Sequence, residues 1–371
     1  MSPFRSAMRV MALSFAMFAA SAQAQWLIGQ TSSFTGPSAG AVAENTAGAK
    51  LYFDAVNQRG GVHGKKIELI SVDDKWDSKL AVANARELIV DRKVLALFLN
   101  RSTNLTEAIL PVLEEHGVAL VGPTSGAGFL HQPLRRFVFN VRAPFRKEAH
   151  KAVVHLASVN VQRMGVFHAN DAFGADAVQG AQDGFSASRT KPKFIEVYDR
   201  KSPDPKAMAA RVVKEDLQAV LLLGPSEVVA ATTAAIRTAG SQAQVVTLSN
   251  NASSSFVDEM GKYASGTIVT QVFPSERNVA IGLVREASGL ARPKNVELSP
   301  SVLEGFAAAK VLVEGLRRAG PTATRERLVQ ALETMTNFDL GGLPLNYSPT
   351  DHSGLDFVDI SILTPDGRFR R

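Results

Sequence analysis

Residues 57–74 read NQRGGVHGKKIELISVDD and connect a helix to a strand. Before this stretch, Ala47, Leu51 and Ala55 recur at a spacing of four residues, which is typical of one face of a helix. The adjacent glycines within the stretch end that helix, because the residue after a helix often adopts a left-handed conformation. The apolar run Ile67–Val72 then predicts a strand.

The same alternation of strands and helices extends along the chain. The first half contains the predicted strands Leu27–Thr31, Val94–Leu99 and Val118–Val121 and the helices Ser78–Asp91 and Thr103–His116. After Phe137–Val141 the pattern starts again, with strands Arg163–His168, Lys193–Tyr198, Ala219–Leu223, Gln244–Leu248 and Ile268–Phe273, and helices Lys147–Ala157, Phe173–Ser188, Lys206–Asp216 and Ser226–Ala239. Two helices, Ser301–Ala319 and Arg325–Thr334, and a strand, Leu355–Leu363, complete the prediction.

Single helices between strands produce parallel sheets that are covered by helices on both faces. The repetition therefore predicts an α/β protein with two similar lobes, each a doubly wound parallel sheet. Because no low-complexity linker separates the two halves, we expect the chain to cross between the lobes more than once.

The composition is typical of a globular protein. Of the 371 residues, 45% are hydrophobic and 20% are charged, and this length is enough for two domains of about 100–200 residues each. The absence of cysteine excludes a disulfide scaffold, a thiolate zinc site and a cysteine nucleophile. The net charge of +6 is small and evenly spread, so it does not indicate nucleic acid as a partner.

The first 24 residues have the pattern of an export signal. Arg5 and Arg9 provide the positive charge, and the apolar run Val10–Ala20 follows. This run is short for a helix that must cross a hydrocarbon core of about 30 Å, although an N-terminal membrane anchor is the alternative. Because Ala22 and Ala24 match the small-residue rule of signal peptidase, we expect cleavage after Ala24 and a periplasmic protein.

The sequence lacks the common catalytic motifs. Residues 60–66, GGVHGKK, differ from a phosphate-binding loop in glycine spacing and in the residue after the lysine. His150 and His155 are five residues apart, so they lie on different faces of a helix and do not chelate one metal easily. Asp73 and Asp74 either bind a cation or cap the next helix, and capping is the more common role. We therefore expect no enzyme activity, no metal and no cofactor.

Several short motifs occur in a characteristic order. They are Thr35-Gly36-Pro37, residues 57–66, Asp73-Asp74, His116-Gly117-Val118, Phe139-x-Val141-Arg142, Asp171-Ala172-Phe173-Gly174 and Leu303-Glu304-Gly305-Phe306. In order and spacing, the chain from Gln25 to Phe369 resembles the extracytoplasmic solute-binding proteins of ABC importers, in the leucine/isoleucine/valine-binding class of type I periplasmic binding proteins.

The resemblance implies two lobes joined by a three-crossing hinge, with the ligand in the cleft between them. Mapped onto this chain, the first lobe is 25–143 plus 274–350, and the second is 144–273 plus 351–371. It also implies a monomer that captures a small amino acid or a related carboxylate or amide and delivers it to a membrane permease. The alternative is a sensory protein that presents its ligand to a receptor. Independently, ligands of open α/β sheets bind beyond the carboxyl ends of the strands.

The resemblance assigns two loops to the ligand carboxylate. Ser102 and Thr103 lie in one loop, and Thr124 and Ser125 in the other. Hydroxyls and free N–H groups at a helix start suit an anion, although they also serve as simple helix caps.

The aromatic residues Trp76, Phe145 and Phe173 are placed to contact the ligand, with packing between or within lobes as the alternative.

The positions assigned to the ligand amine differ from the family pattern. Asn250 lies where amino-acid binders carry an acid, and Ser226 lies where an aromatic residue is common. Burying an ammonium group without an anion is costly. Unless Asp171 or Glu227 supplies the charge, the ligand is therefore a carboxylate without an amine, or an amide.

Overall fold

The computed structural model describes residues 25–371, and the predicted export segment 1–24 lies outside the described residues. The first sheet contains β1 (Gln25–Ser32), β2 (Lys66–Asp73), β3 (Ala96–Phe98), β4 (Leu120–Val121) and β5 (Val138–Phe139). These strands are all parallel, in the order β2-β1-β3-β4-β5. The helices between them are α1 (Ala39–Gln58), α2 (Ser78–Arg86) and α3 (Thr103–His116). The predicted helix Ser78–Asp91 is thus α2 followed by a π-helical turn, Glu87–Asp91.

The second sheet has seven strands in the order β14-β13-β10-β9-β8-β6-β7. They are β6 (Met164–Ala169), β7 (Phe194–Tyr198), β8 (Ala219–Leu223), β9 (Gln244–Thr247), β10 (Ile268–Gln271), β13 (Asp359–Leu363) and β14 (Phe369–Arg370). Its helices are α4 (Phe145–Ser158), α5 (Ala172–Ala187), α6 (Pro205–Lys214), α7 (Ser226–Thr238) and α8 (Ser254–Met260). Strands β6 to β10 are parallel, as expected, and the last two strands add an antiparallel edge.

The chain between β10 and β13 returns to the first sheet. It forms α9 (Gly282–Ala291), α10 (Pro300–Ala319), α11 (Arg325–Glu333) and a short hairpin of β11 (Phe338–Asp339) and β12 (Pro344–Leu345). Helix α10 packs closely on α1, where a Cβ on Gly48 would lie 1.9 Å from the carbonyl oxygen of Val302. One apolar core therefore joins β1, α1 and α10, whereas two other cores flank the second sheet.

These cores define two lobes. We call the part around the five-stranded sheet the first lobe and the part around the seven-stranded sheet the second lobe. The chain passes from the first lobe to the second after β5, returns after β10, and crosses a third time before β13. The bounds 25–143 plus 274–350 and 144–273 plus 351–371 remain a prediction. Within residues 25–371, no helix combines the length and the apolar character needed to cross a membrane.

Candidate ligand-binding site

A cleft between the lobes contains about 410 Å³ of space that protein atoms do not fill, part of it open to solvent. Its lining residues are Ser38, Trp76, Arg101, Ser102, Thr103, Thr124, Ser125, Phe145, Phe173, Arg200, Pro225 and Asn250. Most of them follow the carboxyl end of a strand, where open α/β sheets bind ligands. We call this space the cleft cavity.

Hydroxyl groups form the first-lobe wall of the cleft cavity. Thr103 is the first residue of α3, and its Oγ1 lies 2.8 Å from the Oγ of Ser125. The hydroxyl of Thr124 is buried and has no hydrogen-bond partner among the described residues. Since the first N–H groups of a helix also lack intrahelical partners, this wall offers several donors to a carboxylate.

Arg101 brings a positive charge to the same wall. Its guanidinium is buried, donating from Nη1 to Oδ1 of Asn45 at 3.1 Å and from Nη2 to the carbonyl oxygen of Asn250 at 2.8 Å. Burial lowers the pKa of Arg101 below its ordinary value, and the nearby carboxylate of Glu304 opposes that shift. Because arginine is effectively always protonated in proteins, this side chain carries its positive charge at the wall of the cavity.

A second buried arginine lies behind the cavity and links the lobes. Arg142 donates from Nη2 to Glu148 at 2.5 Å and to the hydroxyl of Ser249 at 2.6 Å. Its Nη1 lies 3.5 Å from Oε1 of Glu304. Burial raises the pKa of Glu304, while Arg142 and Arg101 act in the opposite direction. The carboxylates of Glu148 and Glu304 therefore already have a protein cation as partner.

Aromatic rings form the apolar part of the cleft cavity. Phe145 and Phe173 pack edge to face, with centroids 4.8 Å apart, and both are buried. Trp76 is half-buried, and the guanidinium of Arg200 from the second lobe lies 5.1 Å from the centroid of the indole. Arg200 also pairs with Asp171, whose Oδ1 accepts from the backbone N–H of Gly174 and caps α5.

Three residues that line the cavity have a strained backbone conformation. Ser38, Trp76 and Ser102 all have positive φ angles, of 62°, 62° and 78°. Residues other than glycine rarely adopt this conformation, and such strain is often found where side chains must be aimed at a ligand. The three residues belong to three separate loops of the first lobe.

The architecture and this cleft can be compared with known proteins. A sequence model described as "Periplasmic binding protein" matches residues 25–357. The chain belongs to the periplasmic binding protein family. It is a type I binding protein of the Leu/Ile/Val-binding class, and the relatives that it matches are solute-binding proteins, not enzymes.

Several relatives of this binding protein match it over 90% or more of both chains. A Brucella melitensis protein described as Leu/Ile/Val-binding protein homolog 3 is 26% identical over 353 residues, covering 92% of each chain. The crystal structure of a substrate-binding periplasmic protein from Ralstonia solanacearum has a TM-score of 0.85 at 29% identity, covering 92% of this chain and 99% of that one. A fatty acid ABC transporter substrate-binding protein from Thermomonospora curvata has a TM-score of 0.81 at 19% identity, with coverages of 93% and 90%.

The structure brings eight of the nine predicted site residues of this binding protein to the cleft cavity; that they bind ligand remains a prediction. Ser226 is the residue that does not line the cavity. It is the buried first residue of α7, and its hydroxyl lies 3.4 Å from Oε2 of Glu227. Pro225 lines the cavity in its place, because the chain turns into α7 at this point.

Asn250 is hydrogen-bonded to neighbouring residues of the second lobe and also lines the cavity. Its Nδ2 donates to the carbonyl oxygen of Gly224 and to Oδ1 of Asn251, both at 3.1 Å. Its own Oδ1 is buried and has no partner among the described residues. The side chain thus presents an acceptor without a formal charge where the family pattern has an acid.

Sequence reasoning missed four of the cavity residues, namely Ser38, Arg101, Arg200 and Pro225. Arg101 and Arg200 each come two residues after a predicted strand, Val94–Leu99 and Lys193–Tyr198. The rule that ligands bind beyond strand ends was therefore a sufficient signal for both arginines.

Proposed function

We propose that this protein is the extracytoplasmic substrate-binding component of an ABC importer. It captures a small amino acid or a related carboxylate or amide and delivers it to a membrane permease. The observation that supports this proposal is the cleft cavity, to which the first lobe contributes hydroxyl side chains and both lobes contribute arginine and aromatic side chains. Export by residues 1–24, cleavage after Ala24 and action as a periplasmic monomer are parts of the same proposal.

Closure of the two lobes around the ligand is the proposed mechanism. Several bonds join the lobes across the cleft in this structure. Glu44 of α1 accepts from the backbone N–H groups of Ser254 and Ser255 at 3.1 and 2.9 Å, and Arg101 donates to Asn250. Opening the cleft would break these bonds. A ligand that binds the closed state with greater affinity than the open state shifts the protein further toward closure.

The relatives do not select one ligand for this chain. The Brucella protein is described as a Leu/Ile/Val-binding protein, whereas the Thermomonospora protein serves a fatty acid transporter. The latter shares the fold alone at 19% identity. The choice between ligands with and without an amine therefore depends on the side chains of the cleft.

A thermal-shift screen of residues 25–371 tests the binding function. One panel contains amino acids, and the other contains small carboxylates and amides. Ligand at 100 times its Kd should stabilise the protein by about 2.7 kcal/mol, which raises the melting temperature measurably. Uptake of the labelled hit by cells with and without this protein then tests delivery. A stabilising ligand with unchanged uptake would instead favour the sensory alternative.

A further inference from the structure

The residues that line the cleft cavity carry two positive charges and no carboxylate. The cations are Arg101 and Arg200, and the remaining lining residues are uncharged. We propose that the ligand is a carboxylate without an ammonium group, whose second polar group, where it has one, is an uncharged hydrogen-bond donor such as a hydroxyl or an amide. This inference rests on the proposed binding function and specifies its substrate class.

The two second-lobe acids that could supply an anion are either engaged by protein donors or outside the cavity lining. Asp171 accepts from the N–H of Gly174 at 2.8 Å and pairs with Arg200. Turning it toward a ligand would uncap α5 and release Arg200 from its ion pair. Glu227, the other candidate for an anion, is exposed and does not line the cavity.

The acids of the first lobe are held in the same way. Glu44 accepts from Ser254, from Ser255 and, at 2.5 Å, from the hydroxyl of Ser299. Asp74 is buried and accepts from the hydroxyl of Ser33 at 2.5 Å and from the N–H of Trp76 at 3.1 Å. Bringing either acid to an ammonium group would break several bonds at once.

The groups that lack partners indicate the complementary ligand chemistry. The buried Oδ1 of Asn250 is an acceptor and needs a donor, whereas the buried hydroxyl of Thr124 is able to donate to a carboxylate. An ammonium group near Asn250 would receive one neutral hydrogen bond but no anion, and a buried unpaired charge is costly. A hydroxyl or amide N–H satisfies the same acceptor without that cost.

Matched ligands with one carbon skeleton isolate the effect of the amine. The first series is leucine, 2-hydroxy-4-methylpentanoate and 4-methylpentanoate; the second is phenylalanine, 3-phenyllactate and 3-phenylpropanoate. Calorimetric titration of the protein gives the Kd for each compound. We expect the amine-free acids of at least one series to bind ten times more tightly than the amino acid, with the hydroxy acid the tightest.

The outcomes separate this inference from the proposed function. Equal or tighter binding of an amino acid, in these series or in the broad screen, overturns the inference and leaves the binding function intact. If no compound of the series or of the broad screen binds, the proposed function itself fails, and the inference fails with it.

A substitution at Asn250 tests the same point within the protein. Asn250→Asp places an anion at the unpartnered acceptor, so the ratio of the Kd for the amino acid to that for the amine-free acid should fall at least tenfold. The ratio is informative even where the substitution weakens all binding. Asn295→Asp is the matched control, because it changes the charge equally at an exposed position that does not line the cavity. An unchanged ratio in Asn250→Asp contradicts the assignment of this side chain to the ligand's second polar group.

Discussion

Arg101 of the first lobe donates a hydrogen bond of 2.8 Å to the backbone carbonyl of Asn250 in the second lobe. These residues are 149 positions apart in the chain, and both line the cleft cavity. The acceptor is a backbone atom, so the bond depends on the position of the loop and not on the side chain at 250. Arg101 thus has two roles: its hydrogen bond joins the two lobes, and its guanidinium places a positive charge in the cleft cavity.

We expect Arg101→Gln to weaken the binding of carboxylate ligands by roughly 10- to 100-fold, since hydrogen bonds to charged groups contribute about 1.5–3 kcal/mol. The substitution removes the bond to Asn250 and one cavity cation. Calorimetric Kd values measure the effect. Arg163→Gln is the control, because Arg163 is half-buried and pairs with exposed Asp216 away from the cavity. Equal losses in both variants would contradict a specific role for Arg101.

Substitutions of Thr124 and Thr103 should both weaken ligand binding but should differ in their effect on the stability of the protein. Thr124→Val replaces a hydroxyl that has no partner within the described residues, so the ligand-free melting temperature should hold while the Kd rises severalfold. Thr103→Val also loses the 2.8 Å bond to Ser125, which should lower the ligand-free stability by about 1 kcal/mol. Thermal melts and calorimetry measure both quantities. Unchanged affinity in both variants would exclude these loops as the carboxylate site.

Substitutions of the aromatic residues should also differ in whether they mainly change stability or ligand affinity. Phe173 is buried against Phe145, so Phe173→Ala should lower the free energy of unfolding by about 3–5 kcal/mol. Trp76 is half-buried at the edge of a first-lobe apolar core, and its indole ring also contacts the guanidinium of Arg200 from the other lobe. Trp76→Ala should therefore reduce affinity more than stability, and Trp76→Phe should restore most of the affinity. Urea unfolding and calorimetry distinguish the two effects; a larger stability loss in Trp76→Ala would contradict this division.

Local patterns predicted much of the fold. Helix Thr103–His116 and strand Ala219–Leu223 have the predicted bounds, because apolar periodicity and flanking turn residues mark them clearly. Helices α8 and α9 and the hairpin of β11 and β12 were not predicted. These elements are short, and their formation depends on packing against distant parts of the chain.

The sequence predicted the position of the residues that line the cleft cavity more fully than the charge of that lining. Strand ends and the family resemblance located Thr103, Thr124 and the aromatic residues. The pairing of Arg200 with Asp171 and the contact of Arg101 with Asn250 join separate loops, so no local pattern contains them. Ser226 shows the limit of reasoning by position, because a shift of one residue at the start of α7 puts Pro225 at the cavity instead.

The stability of the protein should fall as the pH decreases from about 6.5 to 4, in part because of His131. Burial lowers the pKa of His131 from 6.5 to about 4, aided by Arg142 and opposed by Asp351. Neither ring nitrogen has a hydrogen-bond partner within residues 25–371. In this pH window the unfolded chain binds a proton that the folded protein excludes, so the contribution of His131 is complete above pH 6.5 and is lost toward pH 4, by up to about 3 kcal/mol.

Urea unfolding of His131→Gln between pH 7 and pH 4.5 measures this contribution. The variant should lose less stability over the range than the wild-type protein, because glutamine does not titrate. His155→Gln is the matched control, since it makes the same substitution at an exposed position on α4. Part of the wild-type slope should persist in His131→Gln, because burial also lowers the pKa of His352. Equal slopes in His131→Gln and the wild-type protein would show that His131 accepts its proton without cost to the fold.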